Sequence, residues 1–175
     1  MLMFLAGVIE QLDLAFEHIS KGNVHDARFG LMLADNAVEL ILHQIAKDQQ
    51  ARLKAYQHLA EKYEHNKKLE EAQGGSFEAK LTFARIEGQV TDEQARSLAI
   101  MHTFRNGLYH LGLQYEPILL ALARFHFSTA CEFIAGFNIR WFSYSWGIVL
   151  PERARKYFGA FCVMPECIVL LLSSG

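Results

Sequence analysis

The chain has 175 residues and a mass of 19.9 kDa, enough for one domain around a single core with a short extension, and too little for two full domains. A composition of 51% hydrophobic and 21% charged residues, with only 3 Pro and 12 Gly, excludes a disordered, collagen-like or Pro-rich chain. Seventeen Lys and Arg against nineteen Asp and Glu give a formal net charge of -2, which excludes a generally basic, phosphate-coating binder and leaves only local contact with nucleic acid. Cys131, Cys162 and Cys167 do not make a disulfide framework, and an odd count suits a reducing compartment, so a cytoplasmic location is the default expectation.

The apolar start, Met1 to Ile9, has no basic lead and runs straight into Glu10 and Asp13, unlike a signal peptide. Leu5, Ile9, Leu12, Phe16 and Ile19 form one apolar face of a helix that Lys21-Gly22-Asn23 should end. A second helix, from about His25 to Asp48, carries Ala27, Leu31, Ala34, Val38, Ile41 and Ile45, widened by Ala37 and Leu40. Its polar residues Asn36, Glu39 and His43 line one narrow strip, which is either a solvated face or an approach to a site. Residues 49–72, with Leu53, Tyr56, Leu59 and Tyr63 at helical spacing, predict a third and exposed helix. Gly74-Gly75-Ser76 breaks it. Phe77 to Ile86 is short enough that periodicity does not separate helix from strand, and helix is preferred.

Thr91 with Gln94 three residues on is a capping box, so a helix should run from there to about Tyr109 or Leu113. Pro117 suits the first turn of another apolar helix leading to Trp146-Gly147, whose Arg124, His126, Glu132, Asn138 and Arg140 make a membrane span improbable. With no strand alternation and no repeat, the expected fold is all-α: an antiparallel up-down bundle of four to five main helices over residues 1–145. Residues 146–175 form a C-terminal extension, basic over Glu152 to Lys156 and apolar over Ile168 to Leu172, expected to face a partner or a second copy.

The chemistry concentrates in Phe104-Arg105-Asn106-Gly107-Leu108-Tyr109-His110, which places a fixed cation, an amide and a titratable imidazole within two helical turns. At 100° per residue Met101, Phe104, Leu108 and Leu111 form the apolar stripe, Arg105 lies at its edge, and Asn106 and His110 lie opposite. One phosphate could bridge Arg105 and His110. His102 and His126, on apolar faces, read as hydrogen-bonded structural histidines. Cys162 and Cys167 lack zinc-site spacing, so no metal and no cofactor is expected.

The segment Arg105-Asn106-Gly107-Leu108-Tyr109-His110 resembles the signature of the HEPN superfamily, an Arg usually followed by Asn or another polar residue and then His after four to six intervening residues. Ala34-Asp35-Asn36-Ala37-Val38-Glu39-Leu40 is similar to the second helix of HEPN domains, where an acidic or polar residue sits among alanines and leucines. Many HEPN toxins carry Tyr two places after the His; here that place is Gly112, and Tyr109 precedes His110 instead.

The resemblance implies an up-down helical bundle and, in catalytic members, metal-independent RNA cleavage by attack of the ribose 2′-hydroxyl on the adjacent phosphate. In that chemistry His110 would move the proton, Arg105 would hold the phosphate, and Asn106 would orient His110 or the substrate. Glu39 would reach Arg105 from the second helix, unless it forms an ordinary salt bridge, with Asn36 and Tyr109 close to the substrate. The resemblance also implies a homodimer with a composite site, RNA as substrate, and a role as a toxin or stress effector held by a nucleotidyltransferase-type antitoxin. The alternatives are a non-catalytic HEPN-like module that binds a nucleotide or protein partner, and an unrelated helical scaffold.

Overall fold

The structure, a computed structural model, describes residues 2–111, 116–137 and 149–158, and the description that follows concerns these. Every element among them is helical, as expected. The helices are α1 (Leu2–Ser20), α2 (Val24–Ala55), α3 (Gln57–Ala60), α4 (Asn66–Gln73), α5 (Phe77–Ile86), α6 (Asp92–Leu111), α7 (Leu119–Ala135, entered through a 3-10 turn at Glu116–Ile118) and α8 (Glu152–Arg155). None is long and apolar enough to cross a membrane.

Helix α1 ends where Gly22 takes a φ of 71°, a conformation that favours glycine. Asn23 then caps α2, its side chain accepting from the Asp26 N–H. The two helices lie close enough at Gly30 that a Cβ there would stand 2.4 Å from Ile19 Cγ1 and 2.9 Å from the Ala15 carbonyl. Helix α2 is the axis of the bundle, packing against α1, α4, α5, α6 and α7. Leu5, Ile9, Leu12, Leu31, Ile41, Leu42, Phe83, Leu98, Met101, Leu108 and Phe133 fill the core around it.

Sequence and structure part at residues 49–72. Helix α2 does not stop near Asp48 but continues to Ala55, and the rest is divided between α3 and α4. The extension has a packing cause, since Asp48 and Gln49 are buried and Leu53 packs against the core. Helix α4 is separate because its Leu69 and Ala72 are buried in the core and it packs against α2 and α5. The uncertain segment 77–86 is a helix with Ser76 as N-cap, and the capping box is formed on both sides, Gln94 N–H to Thr91 Oγ1 and Thr91 N–H to Gln94 Oε1.

Helix α7 is described to Ala135; the part of the expected helix over 138–148 lies outside the described residues, as do Gly112, Cys162, Cys167 and the apolar run Ile168 to Leu172. The described part of the extension lies against α1 of its own chain. Ala154 and Tyr157 are buried, and Arg153, Lys156 and Tyr157 all reach Asp13.

Candidate functional site

Asp35 is the centre of the site. It stands one turn after Leu31 and one turn before Val38, on the apolar stripe of α2, and is wholly buried. A carboxylate in such a place needs partners, and α6 and α7 supply them. The His102 Nδ1–H donates to Asp35 Oδ2 at 3.0 Å; Arg105 Nε lies 3.5 Å from the same oxygen; His126 Nε2 lies 3.4 Å from Oδ1. Only the first is a regular hydrogen bond: Asp35 Oδ1, Arg105 Nε and both ring nitrogens of His126 are buried without a hydrogen-bonding partner in the protein. Burial pushes the Asp35 carboxyl up, but the His102 hydrogen bond, then the His126 contact, outweigh it and hold the pKa at about 2.

Each partner is fixed from behind. The His102 ring stacks on Phe77 of α5, centroids 3.8 Å apart and planes within 4°. Arg105 Nη1 donates to the Asn106 side-chain oxygen at 2.9 Å, and Arg28 of α2 donates to the Leu108 carbonyl at 2.7 Å, which ties α2 to α6 beside the site. The Arg105 side chain retains 29% exposure, and its Nη2 has no partner among the described residues.

Of the residues singled out in sequence, Arg105 and Asn106 meet directly. Tyr109 and His110 follow on the backbone of α6, but their side chains lie outside the described residues. Glu39 forms no ion pair with Arg105; it accepts from the nearly buried Lys80 of α5 at 2.7 Å, and Asp35 takes the place expected for Glu39. Asn36 donates to Gln11 of α1 at 2.9 Å, away from Asp35. His43, third in that strip, has a pKa lowered by burial and then by Lys47 and Lys80, so it stays neutral at physiological pH. The strip Asn36, Glu39, His43 is thus a set of contacts to α1 and α5 and not an approach to Arg105.

Asp35 is the residue that motif reading passes over. Its signal was an acidic side chain on a stripe otherwise made of Leu31, Ala34, Val38 and Leu42, answered by His102 one turn after Leu98 and His126 between Ala123 and Ala130. A buried acid on one helix is expensive alone and is stabilised by a part-buried imidazole on α6 and a buried one on α7. Cys131 is not part of this chemistry, since burial pushes its thiol up to about 12 and leaves it unreactive at neutral pH. Among the described residues no set of three or more His, Cys, Asp and Glu is disposed to hold a metal ion.

No protein-family model, no curated protein and no solved structure matches the chain.

Proposed function

We propose that the chain is a metal-independent endoribonuclease of the HEPN type, with Arg105 holding the scissile phosphate, Asn106 orienting and His110 transferring a proton. The observation that supports this most directly is the setting of Arg105. Its Nε stands 3.5 Å from a buried carboxylate in an ion pair without a regular hydrogen bond, Nη1 donates to the neighbouring amide, Nη2 has no partner among the described residues, and the side chain stays partly exposed. A planar cation fixed on two sides and open on the third can receive a phosphate oxygen without losing side-chain freedom at that moment. The site asks for no broadly basic surface, which agrees with a net charge of -2.

In this reading RNA is the substrate, two copies pair so that their motifs face one cleft, and the protein acts as a toxin or defence effector restrained by a nucleotidyltransferase-type antitoxin. Purified protein should cut RNA in EDTA and leave 2′,3′-cyclic phosphate ends, and His110→Ala should reduce the rate by roughly 10²- to 10⁴-fold while its circular dichroism is unchanged. Unchanged cutting by that variant overturns the reading.

One observation favours the second reading, a non-catalytic module that binds a nucleotide or a protein. Asp35 offsets much of the charge of Arg105, which suits holding a ligand better than stabilising a growing charge. On that reading wild type binds a nucleotide without cutting RNA, and Arg105→Ala weakens the binding.

A further inference from the structure

Cleavage by a 2′-hydroxyl requires two proton movements: one proton leaves the 2′-oxygen as it bonds to phosphorus, and one arrives on the 5′-oxygen as its bond to phosphorus breaks. One imidazole per site supplies one of these. A second imidazole stands on the same helix, one turn from Arg105.

Three features set His102 apart from a packing histidine. Its Nδ1–H is spent on Asp35, which fixes the tautomer and leaves Nε2 with its lone pair. Nε2 has no partner among the described residues, and the side chain is 15% exposed. Its ring plane is set by the stack on Phe77, so the free nitrogen has one direction. A carboxylate on one ring nitrogen with the other nitrogen free is the arrangement of an oriented general base, because the carboxylate stabilises the imidazolium that forms. The groups facing that carboxylate are His102 and Arg105 from α6 and His126 from α7, and α5 contributes only the uncharged Phe77 ring to His102. Along α6, Arg105 stands one turn beyond His102, about 4.5 Å along the axis and about 60° around it, so a phosphate held by Arg105 lies on the side of the helix that carries His102.

We infer that His102 is the general base of the reaction, taking the proton of the ribose 2′-hydroxyl on Nε2 while His110 gives a proton to the leaving 5′-oxygen; this rests on the nuclease reading above. The 2′-oxygen bonds to phosphorus, the bond from phosphorus to the 5′-oxygen breaks, and the products are a cyclic phosphate and a 5′-hydroxyl. His102 ends protonated and His110 deprotonated, and exchange with water restores both. Each protomer then carries both proton-transfer groups, and pairing of two copies is not needed to supply the second.

The test compares ordinary RNA with RNA carrying a bridging sulfur in place of the scissile 5′-oxygen, a leaving group that departs without a proton. His102→Gln should lower kcat on ordinary RNA by roughly 10²- to 10⁴-fold with KM near wild type, and should stay as slow on the sulfur-bridged RNA. His110→Ala should recover on the sulfur-bridged RNA. Should His102→Gln not fold, Asp35→Asn decides instead: without the anion behind His102, kcat on ordinary RNA should fall with KM near wild type and should stay as low on the sulfur-bridged RNA. A wild-type rate in His102→Gln, its rescue by the bridging sulfur, or a wild-type kcat in Asp35→Asn overturns the role of His102 and leaves the nuclease reading standing. A wild type that does not cut RNA overturns both.

Discussion

Of the carboxylates buried in this bundle, Asp13 on α1 and Asp35 on α2 are served in opposite ways. Asp13 has short contacts, to Tyr157 at 2.5 Å, Lys156 at 2.5 Å and Arg153 at 3.2 Å, and Arg153 also reaches Glu17 at 2.7 Å. Lys156 and Arg153 are about half exposed, at 58% and 41%. Asp35 has one regular hydrogen bond and two contacts at 3.4 and 3.5 Å, to partners mostly out of water, and the cluster keeps several polar atoms unsatisfied. The first arrangement is a fastening between the extension and α1, built from groups that could return to solvent. The second holds cationic and titratable groups where neither water nor a full set of hydrogen bonds satisfies them, a condition that structures keep where the groups have another task.

The difference sets the largest expected effect. Asp35→Ala should destabilise the fold by about 3 to 5 kcal/mol in urea unfolding, because the mostly buried Arg105 loses its counter-charge and His102 loses its acceptor. Asp35→Asn, which still accepts from His102, should lose less. A loss in Asp35→Ala no larger than that of a surface substitution would remove the distinction between the two carboxylates.

A smaller effect follows from pH. The carboxyl of Asp35 lies at about 2 in the folded protein against 3.8 ordinarily. A lowered folded-state value stabilises above the unfolded value and is lost as pH falls through the folded one, so this contribution is complete above about pH 4 and disappears toward pH 2. Its size is roughly 2 kcal/mol at 1.36 kcal/mol per pH unit. Acid titration of unfolding free energy should show that fall in wild type and a shallower one in Asp35→Asn, the remainder belonging to the other carboxyls held below their ordinary values, Asp13, Glu17, Asp26 and Glu71.

The contrast also explains what could be read from sequence. Helix α1 and the start of α6 were legible because their signals are local: an apolar spacing that closes at Gly22, and a Thr91–Gln94 box that forms as written. The division of 49–72 was not, since neither Gly nor Pro marks the break at Tyr56, and the placement of α4 depends on Leu69 and Ala72 meeting distant helices. At the site, Arg105 and Asn106 were legible as a motif. Asp35 was visible only as a charge out of place, because its meaning comes from His102 and His126, 67 and 91 positions away (102 - 35 and 126 - 35). Asp13 and its partners over 153–157 leave no pattern in either segment alone.

The smallest of these effects concerns Asp13, and it tests whether burial of the carboxylate or freedom of its partners decides the cost. Burial pushes the Asp13 carboxyl up, and bonds from Lys156, Tyr157 and Arg153 outweigh that and bring it below the ordinary value. By burial alone Asp13→Ala would cost as much as Asp35→Ala. Yet Lys156 and Arg153 are about half exposed and regain hydration once released. The expected loss is therefore about 1 to 2 kcal/mol, measured in urea beside Asp35→Ala. Trypsin should cut after Arg153, Arg155 or Lys156 sooner in Asp13→Ala than in wild type, because the extension loses its hold on α1. Equal losses for the two aspartates would show that burial sets the cost, and that the exposure of Lys156 and Arg153 has no bearing on it.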